Sequence, residues 1–522
     1  MPPLFDQKRK QLMSSLQLWP KQQDVYNFAL QRPATAMFCE QRTGKTYVTL
    51  ALLRKLAGAP INLYTGEGND FCGLLVTLLT NRDSTWLDSI HRFLPWLSVT
   101  SDWEEFKKLP NPRILLIHFE MLPKLINKLV RYKKLNWACV DEAQRIANRG
   151  NKASRALARL SWIDNKLVLT GTPQEGQKSS GKETDYFGIF KFLDPDVFGT
   201  NWERFEKRYM DWPKVDFENA PPGSALWQKK ILQQRILKNK ATFNEKRRKE
   251  FLDKLKPYCI RLTQEDVGIK KPKVHKVSIP MSSTQRKIYD DMDKNSFAYL
   301  PTRRKGKARR VTAALVITNI AKRRQIATGF VYDDDERLHD LSDMKLQETL
   351  RLVNQLSKPI VVFTAFRPDN DLVYESLVEE GYDVVQVNGS TKKKLRPQIW
   401  RDFQRCRYDV AVVQTRTGGV GVDLWKANNA IVYSMTHSYR DWDQALSRLS
   451  AKDKKWLSEF FVLCSENSID EELFDLVIVK KFNTEQTLKH LKKGTVRWQR
   501  NRPNRPRRTK KKKLPRRNRN TV

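Results

Sequence analysis

The sequence predicts an α/β protein with two parallel-sheet lobes, a helical basic insertion between them and a disordered basic tail at the carboxyl end. Two sets of short, apolar runs alternate with helix-sized spans, and a Lys/Arg-rich section separates the two sets. The runs are continuously apolar rather than alternating, as is typical of strands covered on both faces of a parallel sheet. The length of 522 residues is sufficient for about three globular units.

The first set of strands lies in residues 1–212, the predicted amino-terminal lobe. Its clearest runs are 36–39, 74–77, 114–117, 138–140 and 167–169. The second set lies in residues 346–485, and its runs are 360–363, 384–387, 410–413 and 431–433. Because the same alternation recurs, two similar lobes are expected.

Residues 213–345 are predicted to form the helical insertion, because strand signals fade there and basic helical stretches such as 229–256 and 303–324 replace them. Residues 486–522 form the predicted tail. No acidic residue follows Gly494, and 13 Lys or Arg lie between Arg497 and Arg519. Such a segment repels itself and cannot bury apolar surface, so it should be disordered when free.

The composition limits the class of partner. The formal net charge of +39 indicates a polyanion, with nucleic acid ahead of an anionic membrane surface. No apolar stretch approaches the roughly 20 residues that cross a bilayer. The six cysteines show neither zinc-type pairing nor a disulfide block, which indicates a reduced, intracellular protein.

A phosphate-binding loop is predicted after the first strand. The segment Glu40-Gln41-Arg42-Thr43-Gly44-Lys45-Thr46 runs into a helical pattern, so loop amides and the helix start would face phosphates. Lys45 would reach the β/γ oxygens and Thr46 would ligate Mg²⁺. The loop is poor in glycine, and an ordinary helix start is the alternative interpretation.

A second strand end strengthens the nucleotide hypothesis. The run 138–140 ends in Asp141-Glu142, which delivers two carboxylates to the carboxyl edge of the sheet. Asp141 would hold Mg²⁺ and Glu142 would orient and deprotonate the attacking water. The alternative is that the two carboxylates only cap the following helix.

Together these motifs resemble those of the Swi/Snf-like superfamily 2 helicase-type DNA translocases, over about residues 16–480. Further matching segments are Leu18 to Gln22, Leu169 to Pro173, Phe192 to Pro195, Arg261 to Val267, Val361 to Phe366, Asn388 to Thr391 and Thr415 to Leu424. The resemblance implies two RecA-like lobes that use ATP and Mg²⁺. The compact chain is most similar to phage or viral members.

The resemblance also implies roles for particular residues. It assigns nucleotide contacts to Gln22, Gly44, Lys45, Thr46, Gly421, Asp423, Gln444 and Arg448. Lys45, Asp141, Glu142 and Arg448 are the candidate catalytic residues, and Thr46 and Asp141 the candidate metal ligands. The candidate DNA contacts are Thr417, in a family segment, and a set chosen for its positive charge: Arg303, Arg304, Lys305, Arg309, Arg310, Lys510 and Lys511. For the charged set, a solvated helix face in the insertion and a nuclear-import or solubility tail are the alternatives.

One family position departs from the pattern. In the segment from Gln444 to Ala451 the first arginine is retained as Arg448, but alanine stands where the family has its arginine finger. Such a finger contributes ~10³ or more to the rate. Three interpretations remain open: Arg448 or Lys452 substitutes, turnover is intrinsically low, or the residue was deliberately replaced.

These observations predict an ATP-dependent translocase on double-stranded DNA, with duplex or branched DNA as partner and with replication or recombination proteins as further candidates. An ATP-binding scaffold with little turnover and a strand-separating helicase are the alternatives. No membrane association is expected. The expected location is intracellular and DNA-associated: host cytoplasm for a phage protein, nucleus for a eukaryotic one.

Overall fold

A computed structural model describes ten stretches of the chain. They are residues 16–58, 70–171, 183–211, 242–300, 309–313, 315–392, 394–416, 424–436, 438–452 and 454–476. The predicted tail, 486–522, lies outside the described residues.

The first lobe is built on a seven-stranded sheet in which all neighbours are parallel. The strands up to residue 262 are β1 Ala34–Cys39, β2 Cys72–Thr77, β3 Ser98–Thr100, β4 Arg113–His118, β5 Trp137–Asp141, β6 Asn165–Leu169, β7 Met210–Asp211, β8 Thr242–Phe243 and β9 Cys259–Leu262. The sheet order is β3-β4-β2-β5-β6-β1-β9, while β7 and β8 form a separate antiparallel pair. The five strands predicted for this lobe are confirmed.

Helices cover both faces of this sheet. They are α1 Pro20–Leu30, α2 Lys45–Leu56, α3 Leu79–Asn81, a π-helical stretch Arg82–Leu87, α4 Asp88–Phe93, α5 Trp103–Lys108, α6 Leu122–Arg131, α7 Lys152–Ala158, α8 Thr184–Leu193, α9 Trp202–Tyr209 and α10 Arg248–Leu255, with short 3₁₀ turns at Ala143–Ile146, Glu245–Arg247 and Glu265–Val267. Strands β1, β2 and β5 are buried along their whole length, which explains their continuously apolar sequence.

The second lobe is built on a six-stranded parallel sheet, and two small hairpins precede its first central strand. The remaining strands are β10 Lys273–Ile279, β11 Phe297–Leu300, β12 Arg309–Thr312, β13 Phe330–Tyr332, β14 Leu338–Asp340, β15 Ile360–Thr364, β16 Val384–Val387, β17 Val410–Gln414, β18 Asn429–Val432 and β19 Glu459–Ser465. The sheet order is β10-β19-β18-β15-β17-β16. Its helices and those before it are α11 Ser283–Asn295, α12 Val316–Thr328, α13 Met344–Gln355, α14 Arg367–Glu379, α15 Arg396–Gln404 and α16 Tyr439–Arg448.

The section 213–345 requires a correction. It contains the helices α10, α11 and α12, but it also supplies a strand to each lobe: β9 pairs with β1, and β10 pairs with β19. The sheet of the first lobe therefore reaches Leu262 and that of the second begins at Lys273, inside the predicted insertion. Both are edge strands, and in β10 only the last residue, Ile279, is buried, so neither has the continuous apolar run of a central strand.

Each sheet is buried between two apolar layers. In the first lobe one layer includes Phe38 and Val140 and the other includes Met37 and Cys139, which are their chain neighbours on the opposite faces. The second lobe repeats this arrangement. Within the described residues no helix has both the length and the apolar character needed to span a bilayer.

Candidate active site between the lobes

A cavity of about 660 Å³ lies where the two lobes meet. Both lobes line it, with Gln444, Ser447 and Arg448 coming from the second. The first lobe contributes Gln17, Trp19, Gln22, Gln41, Arg42, Gly44, Lys45, Thr46, Tyr47, Asn81, Thr85, Ser89, Asp141 and Glu142. Residues predicted to surround one nucleotide therefore surround one cavity.

The loop after β1 presents the start of α2 to this cavity. Gly44 caps the helix in the left-handed conformation, with φ at 87°. The first backbone N–H groups of the helix have no acceptor within it, and the helix dipole adds positive potential there. Lys45 Nζ donates to the carbonyl oxygens of Cys39 at 2.8 Å and Glu40 at 3.1 Å. These neutral acceptors are ones that a phosphate oxygen could replace.

Gln22 joins helix α1 to the same loop. Its Nε2 donates to Thr43 O at 2.9 Å, and its Oε1 accepts from the backbone N–H of Trp19 at 3.0 Å. The side chain is buried. A Cβ at Gly44 would lie 2.1 Å from Gln22 Nε2, so this contact requires glycine for space as well as for backbone conformation.

Arg42 stands where many relatives of the predicted family have a further glycine. Its φ is 63°, so a residue with a side chain adopts the left-handed conformation here. That conformation is uncommon for residues other than glycine and costs of order 1 kcal/mol. The low glycine content of the loop has therefore not removed the turn that glycine would favour.

Asp141 is fixed by two side chains of the first lobe. Thr77 Oγ1 and Trp86 Nε1 each donate to Asp141 Oδ2 at 2.9 Å, and Oδ1 accepts from the backbone N–H of Glu142 at 3.0 Å. A carboxylate oxygen has two lone pairs, so Oδ1 keeps one for a metal or its water. Trp86 lies between Thr85 and Leu87 in the sequence, and neither neighbour signals this hydrogen bond.

The metal prediction fits these oxygens. Mg²⁺ is commonly held by one or two protein oxygens together with substrate phosphates and water. Asp141 and Thr46 both line the cavity and are of that chemistry. Among the described residues, no three His, Cys, Asp or Glu side chains cluster as a metal site.

Glu142 is connected to the end of β6. It adopts the left-handed conformation, with φ at 53°, and its Oε2 accepts from Gln144 Nε2. Gln144 Oε1 in turn accepts from Thr170 Oγ1 at 2.7 Å. The carboxylate and the segment that begins at Leu169 are thus linked by two consecutive hydrogen bonds.

The edge strand β9 supports the loop from the other side. Glu40 Oε1 lies 3.2 Å from Arg261 Nη2, and Glu40 Oε2 accepts from Gln264 N at 2.8 Å. Gln264 Nε2 also donates to Gln41 O at 3.2 Å. The segment from Arg261 to Val267 therefore holds the base of the loop.

From the second lobe, helix α16 brings its last turn to the cavity. Arg448 is buried and lines it, and Ser447 Oγ donates to Gln41 Oε1 of the first lobe at 2.8 Å. The Lys452 ammonium lies 3.9 Å from the centre of the Trp19 ring. Arg448 is therefore placed at the cavity, whereas Lys452 covers the indole at its rim and Ala451 does not line it.

Lys454 lies beyond this turn and faces its own lobe. Its Nζ donates to Ala427 O at 2.6 Å and Leu449 O at 2.9 Å. Burial, together with the charge of Arg42 across the seam, lowers the pKa of Lys454 to about 8. Arg42 of the first lobe and Lys454 of the second are thus close enough near the cavity for their positive charges to interact.

The remaining predicted residues fall into two groups, those outside the described part of the chain and those on the hairpin strand β12. Gly421, Asp423, Thr417, Arg303, Arg304, Lys305, Lys510 and Lys511 lie outside the described residues. Arg309 and Arg310 are described, but they lie on β12 of a hairpin and not on a helix, so the predicted helical stretch 303–324 is wrong at residues 309–312. Helix α12 begins only at Val316.

The fold thus defines a protein of two RecA-like α/β lobes, and comparison with known proteins identifies its family. Residues 22–328 match the SNF2-related domain, and residues 344–450 match the helicase conserved C-terminal domain. The first match spans 307 of the 522 residues, and the chain belongs to the SNF2-related family. The predicted Swi/Snf-like superfamily 2 resemblance is confirmed, while the phage or viral source stays a prediction.

Individual relatives are distant. The chain is 24% identical over 357 residues to the putative ATP-dependent helicase/translocase YwqA of Bacillus subtilis, covering 66% of this chain and 35% of that protein. It is 23% identical over 445 residues to the ATP-dependent DNA helicase DDM1 of Arabidopsis thaliana, covering 79% and 53%. The chain thus spans about a third to a half of the length of these relatives.

A solved structure is also similar. The Sulfolobus solfataricus SWI2/SNF2 ATPase core in complex with dsDNA matches with a TM-score of 0.36 at 18% identity. The match covers 91% of this chain and 94% of the other.

Proposed function

We propose that this chain is an ATP-dependent translocase on double-stranded DNA, which remodels DNA or protein–DNA complexes using ATP hydrolysis. The observation that supports this most is the shared cavity: Lys45, Asp141 and Glu142 of one lobe and Arg448 of the other line the same space. Membership of the SNF2-related family supports ATP as the substrate.

Each residue has a role in this proposal. Lys45 and the first-turn amides of α2 bind the phosphates, while Gln22 and Gly44 shape the adenine side of the cavity. Thr46 and Asp141 hold Mg²⁺, which when bound neutralises phosphate charge. Glu142 orients the attacking water and accepts its proton, and Arg448 stabilises charge that develops on the transferred phosphoryl group. Gln444 joins Arg448 on the second lobe, as do Gly421 and Asp423 by family resemblance.

The proposed movement along DNA depends on the cavity being lined by both lobes, because a nucleotide bound there can change how the lobes are arranged. ATP that contacts both lobes favours the closed seam, and loss of the γ-phosphate removes part of that preference. If each lobe holds the DNA backbone, every cycle shifts one lobe relative to the other. Contacts to phosphates rather than bases suit such movement, because they do not depend on sequence.

The net charge of +39 supports DNA as the partner. The basic segment from Arg303 to Arg310, Thr417, and the tail lysines Lys510 and Lys511 are the proposed contacts. Duplex or branched DNA is the proposed substrate, with replication or recombination proteins as further partners. An intracellular, DNA-associated location follows from this proposal.

A second function is favoured by one observation. Among the described residues that line the cavity, Arg448 is the arginine that the second lobe supplies, and the finger position is Ala451. A nucleotide could then bind and close the seam with little hydrolysis. The chain would act as an ATP-dependent DNA-binding scaffold.

The test is ATP hydrolysis measured with and without duplex DNA, in the wild type and in Lys45→Ala. We expect duplex to stimulate hydrolysis and Lys45→Ala to abolish it, because the ammonium that reaches the phosphates is lost. Lys55→Ala, an exposed lysine in the last turn of the same helix, is the control and should retain activity. Tight DNA binding without turnover would favour the scaffold, and unchanged hydrolysis in Lys45→Ala would remove the site assignment.

A further inference from the structure

The hairpin β11–β12 carries an exposed face of aromatic and basic side chains. Tyr299 is 56% exposed, and Arg310 lies directly opposite it on the neighbouring strand. The rings of Phe297 and Tyr299 are 6.0 Å apart edge to face, and the Arg310 guanidinium lies 5.3 Å from the Phe297 ring centre. We call Phe297, Tyr299 and Arg310 the hairpin face.

The other side of the hairpin anchors it. Ala298, Leu300 and Val311 are buried and belong to the apolar core of the second lobe, together with Met292 of α11. Residues on a strand alternate between faces, so burial of this set turns the hairpin face to solvent. The face therefore belongs to a packed element, and its exposed aromatic ring is held in place.

The chain segment that contains the hairpin is basic, and the nearest described carboxylate is Asp334 of the acidic run 333–336, which accepts from the backbone N–H of Thr312 on β12 at 2.7 Å. From Lys294 to Tyr332 the sequence contains ten Lys or Arg and no acidic residue. The eight residues 301–308 that connect the two strands contribute four of these charges, although they lie outside the described part of the chain. An anionic partner is the one that this charge complements.

The two arginines of β12 differ in their surroundings. Arg309 turns to the neighbouring hairpin, where its Nη1 lies 3.3 Å from His339 Nε2 and 3.9 Å from Asp333 Oδ2. Arg310 remains beside Phe297, and in the described residues no carboxylate lies within ion-pair distance of it. Arg310 is thus the more available of the two for a phosphate.

We propose that the hairpin face binds an unpaired DNA strand, with Tyr299 stacked on a base and Arg310 paired with a neighbouring phosphate. Contacts to a duplex backbone need only donors and cations, whereas an exposed ring beside a guanidinium that makes no ion pair among the described residues provides a base-stacking platform as well. In intact duplex the faces of the bases are covered by their neighbours. The inference rests on the proposed function for DNA as the partner, and it specifies branched DNA with a single-stranded arm.

The experiment uses the full-length, nucleotide-free chain and DNA with 2-aminopurine in a single-stranded arm. Stacking on Tyr299 should quench the probe, and Tyr299→Ala should abolish the quench and weaken binding of forked DNA about tenfold. Blunt duplex should bind Tyr299→Ala as tightly as the wild type. Tyr299→Phe, which keeps the ring, should behave as the wild type.

Further variants distinguish the contribution of base stacking from the contribution of positive charge and from the loss of exposed apolar surface. Arg310→Ala should weaken the binding of forked DNA and reduce the salt dependence of that binding by about one counterion. Arg309→Ala should weaken the binding by a smaller factor. Leu338→Ala removes an exposed apolar side chain from the next hairpin and should leave the binding of forked DNA unchanged.

Three results would overturn the inference: an unchanged quench in Tyr299→Ala, equal weakening on forked and duplex DNA, or loss of binding in Tyr299→Phe. A wild-type chain that binds no DNA at all would instead remove the proposed function on which the inference rests. The DNA titration contains no ATP. Its result can therefore be interpreted even if the assignment of the ATPase site is wrong.

Discussion

Asp141 illustrates how single side chains prepare this site. The carboxylate lies at the end of a buried strand, and the hydroxyl of Thr77 and the indole of Trp86 restrain one of its oxygens from the neighbouring strand and from the π-helical stretch. Trp86 is fully buried and cannot move away without breaking the packing around it. The remaining lone pair of Asp141 is thereby oriented before any metal binds, which lowers the cost of ordering the site.

The first prediction concerns this restraint. Trp86→Phe keeps an aromatic ring but removes the hydrogen bond to a charged acceptor, which contributes about 1.5–3 kcal/mol. We expect the Mg²⁺ concentration for half-maximal binding of a fluorescent ATP analogue to rise about tenfold, with a parallel loss of ATPase activity. Trp103→Phe is the control, because Trp103 is buried in the same lobe against Phe106 and Tyr132. Equal effects of both changes would show that packing alone is responsible.

A second carboxylate, Asp369 in the first turn of α14, gives a pH prediction. Burial raises its pKa to about 7 from 3.8, although Ser434 Oγ donates to its Oδ2 at 2.6 Å. The folded state therefore holds a proton that the unfolded state releases above pH 4, and stability is lost as the pH rises from about 4 to 7. Asp369→Asn removes this loss.

The measurement is urea unfolding followed by circular dichroism at pH 5 and pH 8. Between pH 5 and pH 8 the free energy of unfolding of the wild type should fall by about 2 kcal/mol more than that of Asp369→Asn. Asp335→Asn, at an exposed carboxylate, should follow the wild type. A wild type and an Asp369→Asn variant with the same pH dependence would refute the prediction.

At the scale of elements, the central strands could be predicted and several others could not. Strands β1, β5, β15 and β17 are buried on both faces, so their apolar runs appear directly in the sequence. Strand β10 lies at a sheet edge and mixes polar with apolar residues, and it falls in a section dominated by charge. The apolar strand β19 was also not predicted. Basic composition alone could not distinguish a helix from the hairpin β11–β12.

The residues of the candidate site also fall into those that the sequence could predict and those that it could not. Lys45, Asp141, Glu142 and Arg448 could be selected because each follows a strand or belongs to a motif with fixed spacing. Thr77, Trp86 and Glu40 act through contacts with residues far away in sequence, and no local pattern marks such contacts. Their selection required the packing of one element against another.

Two glycines make a matched test of the phosphate loop. Gly44 and Gly381 have nearly equal φ values of 87° and 82°, but a Cβ meets Gln22 Nε2 at the first and nothing within 4 Å at the second. Gly44→Ala should lower ATP affinity at least tenfold, because it displaces Gln22 as well as straining the backbone. Gly381→Ala should cost only about 1 kcal/mol of stability and keep ATP affinity. Isothermal titration with ATP and thermal unfolding of both variants check this, and equal ATP affinities would contradict it.

At the scale of the whole molecule, contacts between described side chains of the two lobes cross the seam beside the cavity. Ser447 binds Gln41, and Lys452 covers Trp19. Gln41 belongs to the phosphate loop, and Trp19 precedes the helix that carries Gln22. The second lobe thus contacts two segments of the first lobe that are proposed to bind nucleotide.

The last prediction follows from these seam contacts. A hydrogen bond contributes about 0.5–1.5 kcal/mol and an exposed cation–π pair about 0.5–1 kcal/mol, so removing both should shift the closed-to-open ratio roughly five- to seventyfold. Cys406 is the exposed cysteine of the chain and the other five are buried, so one dye can be placed at Cys406 and one at Lys108→Cys. In Ser447→Ala/Lys452→Ala, energy transfer between the dyes should change towards the open state and should return when ATP binds.

Lys426→Ala is the control for this experiment, since its ammonium lies 4.7 Å from the Trp425 ring within the second lobe. It removes a contact of the same kind without crossing the seam and should leave energy transfer unchanged. If the double variant also leaves it unchanged, the seam is held by other contacts. If ATP fails to restore it, nucleotide does not close the lobes, and the coupling on which translocation depends is absent.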